Sequence, residues 1–470
     1  MGSLQVEEAK VLARAKEESF LGVYFQDERI GFVRNRFTDT EKGDIHLRQE
    51  AYFVLNILDR KHPVKLEGEA LLTSGYLLKG FSFRLDSIFY RTTIEGEVDG
   101  KNLHLEINTG KDTISRSLQM NSPPFISTNR RAYLLAESLE QGDKIRIPYF
   151  DPFTLSLQNT TVTYQGREKV VVNGRVRNLH RFRESFAGIR VNSWLDDKGD
   201  VVKEESSAGF TFIAEPEFQA KDIKKADTEL LSSVSAPLIG KMPDLEDSTL
   251  IRYRLHLPEE VGFNLQGGRQ FFTVPSAGYG KADDESSIQP DTVVLTIKKE
   301  SIPGKDASAC KDKKKYLQAT PYIQSDHSKI REQAVKIISA EQQAPVDQVK
   351  TLTGWVYHYL DKKPVIGIPD AVTTLAAGKG DCNEHAVLFA ALARSMGIPA
   401  RIASGVTFQN GAFYYHAWNE VCLDQRWLSL DSTKNQVPAD LSHIKFIQGG
   451  LEEQVKIGSL LGRLKIEVLD

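Results

Sequence analysis

The chain has 470 residues, of which 40% are hydrophobic and 26% charged, with a formal net charge of −3 and a pI near 6.4. That length exceeds what one hydrophobic core holds, at roughly 100–200 residues per domain, so about three domains are expected. The charge balance leaves no electrostatic footprint for nucleic acid, and no apolar run reaches the roughly 18–20 residues that span a bilayer.

The first residues lack the basic-then-apolar layout of a secretory signal. Met1-Gly-Ser reads as an expression scar, so the expectation is that a natural leader or anchor stood upstream of Leu4. Residues 5–18 have the composition of a short charged helix. From Leu21 the pattern changes to period two. "LGVYFQDERIGFVRNRF" alternates around Gln26-Asp-Glu-Arg29, and further strand–turn–strand signals reverse at Asp99-Gly100, Gln165-Gly166, Asn173-Gly174 and Asp197-Lys-Gly199. A helical interval near Asn129–Gln141 interrupts them. Residues 1–222 are therefore expected to form a β-rich N-terminal domain, a large antiparallel sheet curled on itself or an open barrel.

Composition shifts at "AKDIKKADTELLSSVSAPLIGKMPDLEDS", which reads as a linker. "LIRYRLHL", "RQFFTV" and "DTVVLTIKK" then predict a small β domain, so linker and small domain together take 223–305. The run Lys311-Asp-Lys-Lys-Lys315 reads as solvated linker. In the remainder, 306–470, helical spacing appears at Ile330, Ala334, Ile337 and Ile338, and again at Val349, Leu352, Val356 and Tyr359. "GDCNEHAVLFAALARSMG" predicts a third helix. Asp381 is its N-cap with Glu384 three residues on, and Gly397 with Pro399 marks its end. The strand-like segments "ARIASGVTF", "AFYYHAWNEVCL", "RWLSLD" and "RLKIEVLD" follow, so this last domain is α+β and the whole chain a multidomain α+β protein.

Three cysteines, Cys310, Cys382 and Cys422, make no disulfide framework. They fit a reducing compartment, or an oxidising one in which a thiol stays free, so the compartment stays open. Cys422 reads as core, and a bridge to Cys310 is not expected. Cys382 differs from an ordinary buried cysteine because it stands where a loop meets a helix. Free N–H groups and the helix dipole favour negative charge there, which predicts a lowered thiol pKa.

A thiol nucleophile needs a base and a group that orients the base. His385, on the same helix, points away from the first turn and reads as packing. His416 lies on a strand, where alternation gives it one face with Trp418 and Glu420. Fifteen residues later, Asp431 ends the next strand, and two antiparallel strands so spaced set a carboxylate beside an imidazole. Taken singly, a core histidine and a turn aspartate are the ordinary readings. Cys382, His416 and Asp431 together point to a nucleophile, a base and its orienting acid.

The segments "GKGDCNEHAVLFAALARSMGIPARIASG", "YYHAWNEV" and "RWLSLDST" resemble the transglutaminase-like superfamily of papain-like cysteine enzymes. "LTGWVYHYL" is similar to the helix that precedes the family's nucleophile. The resemblance implies a papain-like catalytic domain at 306–470, with Cys382 as nucleophile, His416 as general base and acid, and Asp431 as the residue orienting His416. The front of the chain is similar to the β-rich N-terminal part of bacterial members, which are often membrane-anchored or exported. An extracytoplasmic setting is implied on that ground.

The implied reaction is acyl transfer on peptide or protein amides, with a protein or peptide substrate whose binding residues stay unknown. Hydrolysis is the favoured outcome by analogy with bacterial relatives; protein crosslinking, and a non-catalytic recognition or scaffold role, remain as alternatives. The Cys382 backbone N–H is one oxyanion donor. A second is not visible, since Trp355, Trp418 and Trp427 all read as packing. No cofactor and no metal is expected. Cys382, Glu384, His385 and His416 are potential ligands, yet neither a Cys-x-x-Cys nor a His-Glu-x-x-His pattern occurs. Oligomeric state is not legible.

Overall fold

The computed structural model describes residues 18–469 apart from 58–59, 88–90, 110–112, 137, 187–188, 224–227, 230–234, 258–262, 264, 274–291, 302–309, 311, 339–343 and 461. The charged helix expected at 5–18 lies outside the described residues up to residue 17, as does Lys311 of the basic run. The chain divides into two compact units, one running to residue 230 with 366–368 added, the other taking the rest from residue 231.

In the first unit the period-two pattern becomes strand. Along Glu28–Asp39, the buried Val33, Asn35 and Phe37 alternate with the partly exposed Arg34 and Arg36. Gln26 and Asp27 join this strand to Glu18–Phe25 with positive φ at both positions, 48° and 65°, a geometry whose twist matches paired strands. Successive strands pair antiparallel from Glu18 to Gln119 and again from Lys144 to Glu215. The pairing of Glu18–Phe25 with Phe210–Glu215 joins the two series into one 14-stranded sheet.

Two local expectations change here. Gln165-Gly166 is not a turn but a bulge inside the 17-residue strand Ser156–Val172. Gly166, at φ 87°, absorbs one extra residue without reversing the chain, and the reversal comes at Asn173-Gly174. The helical interval near Asn129–Gln141 is reduced, among the described residues, to a 3-10 turn at Ala132–Leu135. Arg131, just before it, is buried and committed to Glu184 at 3.0 Å, Ser193 at 3.1 Å and Glu204 at 2.8 Å.

The second unit is built around the helix Cys382–Ser395. Every residue from Glu384 to Arg394 is buried. A helix buried on all sides belongs in a core, and its Leu388, Phe389 and Leu392 each contribute about 1.5–3 kcal/mol by leaving water. The helices Ser328–Ile337, Pro345–Tyr359 and Ala371–Ala377 pack around it, and the strands Ala400–Gln409 and Ala412–Leu423 lie along it.

These strands are part of a nine-stranded sheet. Its path runs Gln270–Thr273, Thr292–Lys298, Leu250–His256, Lys465–Leu469, Ala236–Ile239, Ala412–Leu423, Ala400–Gln409, Ile444–Gln448, and Arg426–Leu430 pairs with Ala412–Leu423. The strands read as a small β domain therefore continue the sheet of the C-terminal part. The last strand of the chain, Lys465–Leu469, pairs antiparallel with Leu250–His256 and parallel with Ala236–Ile239. Alternation defines each strand's faces but carries no information on its partner.

Cys310 and Cys422 form a disulfide, with S–S 2.07 Å. This corrects the reading of Cys422 as an unbridged core residue. Their separation of 112 positions leaves no spacing signal; beside the bridge the Cys310 backbone N–H donates to the Gln425 carbonyl oxygen at 2.9 Å. Tyr316 and Trp427 cover the bridge. Cys382 is left as the free thiol.

Candidate active site

Local signals start the helix Cys382–Ser395 where expected. The Asp381 side chain accepts from the Asn383 backbone N–H at 3.0 Å, and Glu384 Oε2 accepts from the Asp381 N–H at 3.0 Å, a reciprocal capping box. Gly380 has a steric reason: a Cβ there would lie 2.2 Å from the Glu384 Cβ. Cys382 is thus the first helical residue, half-buried.

Its chemistry differs from the expectation. Burial pushes the Cys382 thiol well above its ordinary pKa, and the charges of Asp381, Glu384 and Asp431 act in the same direction. A hydrogen bond from the Ala417 backbone opposes them only in part. Loss of water and nearby carboxylates outweigh the free N–H groups of the first turn. Glu384 is itself pushed well up, by burial and then by the Asp381 charge.

His416 stands on the strand Ala412–Leu423, opposite Gly405 of the neighbouring strand. Its Nε2 lies 2.8 Å from Oδ2 of Asp431, which directly follows Arg426–Leu430 and is fully buried. Burial alone would push the Asp431 carboxyl up, but the facing His416 and His443 rings hold it well below the usual carboxylate range. Its other oxygen, Oδ1, accepts from the backbone N–H of Thr433 at 2.7 Å and of Lys434 at 3.3 Å. With Asp431 as acceptor, His416 Nε2 donates, and Nδ1 is the nitrogen left for proton transfer.

The structure thus joins His416 and Asp431 directly. Among the described residues no hydrogen bond links the Cys382 sulfur to the His416 ring; the thiol meets the strand one residue on, at Ala417. Such contacts are often long in resting enzymes and tighten with substrate. Trp418 stacks on His416, with centroids 6.2 Å apart and planes 18° apart. His385 is fully buried, its Nδ1 2.7 Å from the Asp381 carbonyl oxygen, and burial pushes its pKa down. Trp355 stacks on Tyr359, one helical turn along, at 4.3 Å.

Sequence reasoning missed His443 and Asp440. His443 Nε2 lies 3.0 Å from the same Asp431 Oδ2, and His443 Nδ1 lies 2.9 Å from Asp440 Oδ1. The Asp-x-x-His spacing in "ADLSHIKF" is a faint signal in a stretch without periodicity. The donor atoms of His416, Asp431 and His443 lie within 4.8 Å of one another, as a metal site would require. Hydrogen bonds already account for that closeness, since both Nε2 atoms face one carboxylate oxygen.

Residues 332–432, which include Cys382, His416 and Asp431, match the transglutaminase-like superfamily. Over 109 residues, 22% of this chain, the sequence is 32% identical to an uncharacterized protein of Haemophilus influenzae, and the match spans 29% of that relative. Among solved structures it is similar to a candidate cysteine protease from Cytophaga hutchinsonii, at 18% identity and TM-score 0.31, covering 47% of this chain and 89% of that one. It is also similar to the periplasmic domain of TgpA from Pseudomonas aeruginosa, at 18% identity and TM-score 0.27, covering 42% and 94%. Through residues 332–432 this chain carries a transglutaminase-like domain.

Proposed function

We propose that this chain is a thiol-dependent enzyme that hydrolyses amide bonds in peptides or proteins, with Cys382 as nucleophile, His416 as base and then acid, and Asp431 orienting His416. The observation that carries this reading is the 2.8 Å hydrogen bond from His416 Nε2 to buried Asp431, on the strand whose next residue bonds to the Cys382 thiol.

Because burial favours the neutral thiol, His416 takes the Sγ proton as sulfur attacks the carbonyl carbon. The negative carbonyl oxygen is stabilised by the Cys382 backbone N–H at the helix start. The C–N bond then breaks, His416 passes its proton to the departing amine, and a thioester remains. Water, giving a proton to His416, adds to the thioester. The C–S bond breaks, the sulfur regains its proton, and a carboxylic acid leaves. Hydrolysis rather than transfer to a lysine amine is the outcome favoured, by analogy with bacterial members of the superfamily.

The Cys310–Cys422 bridge supports work in an oxidising, extracytoplasmic compartment. Among the described residues no helix is long and apolar enough to cross a membrane. The deciding experiment incubates the protein with a peptide library, with and without a primary amine, and reads products by mass spectrometry. Cleaved peptides that vanish with Cys382→Ala support the hydrolase. Amine adducts at glutamine make it a crosslinking enzyme, and unchanged peptides make it a scaffold.

A further inference from the structure

We propose that Asp440 and His443 form a second acid–imidazole pair that positions Asp431, and through it His416. Residues at and beside the strands Leu250–His256 and Gln270–Thr273 hold that pair in place. This inference rests on the proposed roles of Cys382, His416 and Asp431.

Four groups stand in line: Asp440 Oδ1, 2.9 Å from His443 Nδ1; His443 Nε2, 3.0 Å from Asp431 Oδ2; and that same oxygen, 2.8 Å from His416 Nε2. Both nitrogens of His443 face carboxylate oxygens, so the ring satisfies both contacts only by donating from both. A ring that does so carries a positive charge between two carboxylates. It compensates charge that Asp431 would otherwise hold alone in a buried site, where an unpaired carboxylate is costly. His443, Asp431 and His416 are all buried. The rings also touch: His443 meets His416 with centroids 5.7 Å apart and Trp418 at 5.1 Å.

The pair is gripped from elsewhere in the fold. Asp440 accepts from the Ser442 backbone N–H at 2.9 Å and its hydroxyl at 2.5 Å through Oδ1, and from Gln436 Nε2 at 2.9 Å through Oδ2. Arg269 donates to the backbone oxygens of Ala439 and Asp440, the latter at 2.7 Å. The Tyr253 hydroxyl donates to the Leu441 oxygen at 3.0 Å. Gln270 exchanges two hydrogen bonds with the Lys445 backbone, at 2.7 and 2.9 Å. Side chains read from sequence as parts of a separate small β domain thus clamp the segment 439–445 from both sides of His443.

Without His443, Asp431 would retain one imidazole and the uncompensated charge of Asp440 nearby. Its proton affinity would rise, and once protonated it would no longer fix the His416 tautomer. The titratable groups facing Asp431 are His416 from its strand, His443 from the loop, and Cys382 and His385 from the nucleophile helix.

The test uses p-nitrophenyl acetate, which acylates an active thiol. It follows nitrophenolate release against pH, with the adduct on Cys382 verified by mass spectrometry, in the wild-type chain, His416→Ala, His443→Gln, Asp440→Asn and the double variant. Thermal melts check folding. The expected result is a loss of about ten- to a hundredfold in His443→Gln, the range seen when an outer partner of an oriented ligand group is removed. The acidic limb should move to higher pH, and Asp440→Asn should show the same changes in smaller degree. The double variant should lose no more than His443→Gln alone, because the two residues act as one unit. A folded His443→Gln with the wild-type rate and limb overturns the positioning role, as does a rate loss with an unmoved limb. If His443→Gln does not fold, an unmoved limb in Asp440→Asn overturns it instead. A wild-type chain that is not acylated at Cys382, or His416→Ala that matches it, overturns the proposed catalytic roles separately.

Discussion

Cys310 is bonded through its sulfur to Cys422, on the same strand that carries His416, six residues further along. Closing a loop of this size constrains the unfolded chain, with an entropic effect of about 4–5 kcal/mol, and removing native bridges costs about 2–5 kcal/mol. The paired variant Cys310→Ser/Cys422→Ser should therefore lose a few kcal/mol in urea unfolding. Protein denatured without reductant should titrate one thiol per chain against three after reduction. Three thiols from material made in an oxidising compartment would contradict the bridge.

Asp431→Asn should leave the fold intact and remove most of the activity. The amide retains an acceptor oxygen but loses the charge that the facing imidazoles share, and it allows the wrong His416 tautomer. In a triad of this design the loss is about 10⁴-fold. Initial rates of peptide cleavage at constant substrate check it, and a loss below tenfold would remove Asp431 from the mechanism.

The parts of this molecule legible in the sequence are those whose physics is local. Asp381 with Glu384 announces a helix start because the two groups cap each other within one turn. Alternation around Gln26-Asp27 announces a hairpin because the turn itself requires positive φ. The contact of His416 with Asp431 follows from a strand, a tight turn and a strand end, all within fifteen residues. Gln165-Gly166 was ambiguous because glycine at positive φ serves bulges and turns alike. His443, the disulfide and the insertion of Lys465–Leu469 depend on segments far apart in the chain, where no short pattern records the meeting. The thiol pKa depends on burial and on carboxylates placed by the fold, which the local helix-start pattern does not record.

Two buried acids should give the stability profile opposite slopes. Glu384 has a folded pKa raised above its unfolded value of about 4.3. Its contribution is complete below that value and is lost as pH rises through the folded pKa. Asp431 has a depressed folded pKa, so its contribution is present above about pH 3.9 and is lost as pH falls through the folded value. Glu384→Gln keeps an acceptor for the Asp381 N–H and removes the charge. Urea midpoints should favour this variant over the wild type more at pH 8 than at pH 5. An advantage that shrinks with rising pH would show the sign to be wrong.

Gly405→Ala should disturb the site through the backbone. Gly405 pairs with His416 on one side and meets the strand Ile444–Gln448 on the other, at a register shift between Ser404 and Gly405. A Cβ there would lie 1.9 Å from the Ile444 carbonyl oxygen and 3.0 Å from the Trp418 ring. Backbone cannot swing aside as a side chain can, so Ile444 must move, and His443 is its immediate neighbour. Overpacking of this kind costs about 1–3 kcal/mol. The displacement should also lengthen the contact of His443 with Asp431, so cleavage should slow beyond what Leu388→Ala causes at an equal loss of stability. Leu388 is buried in the middle of the helix Cys382–Ser395 and provides the comparison. Equal slowing in the two variants would mean that Gly405 serves packing alone.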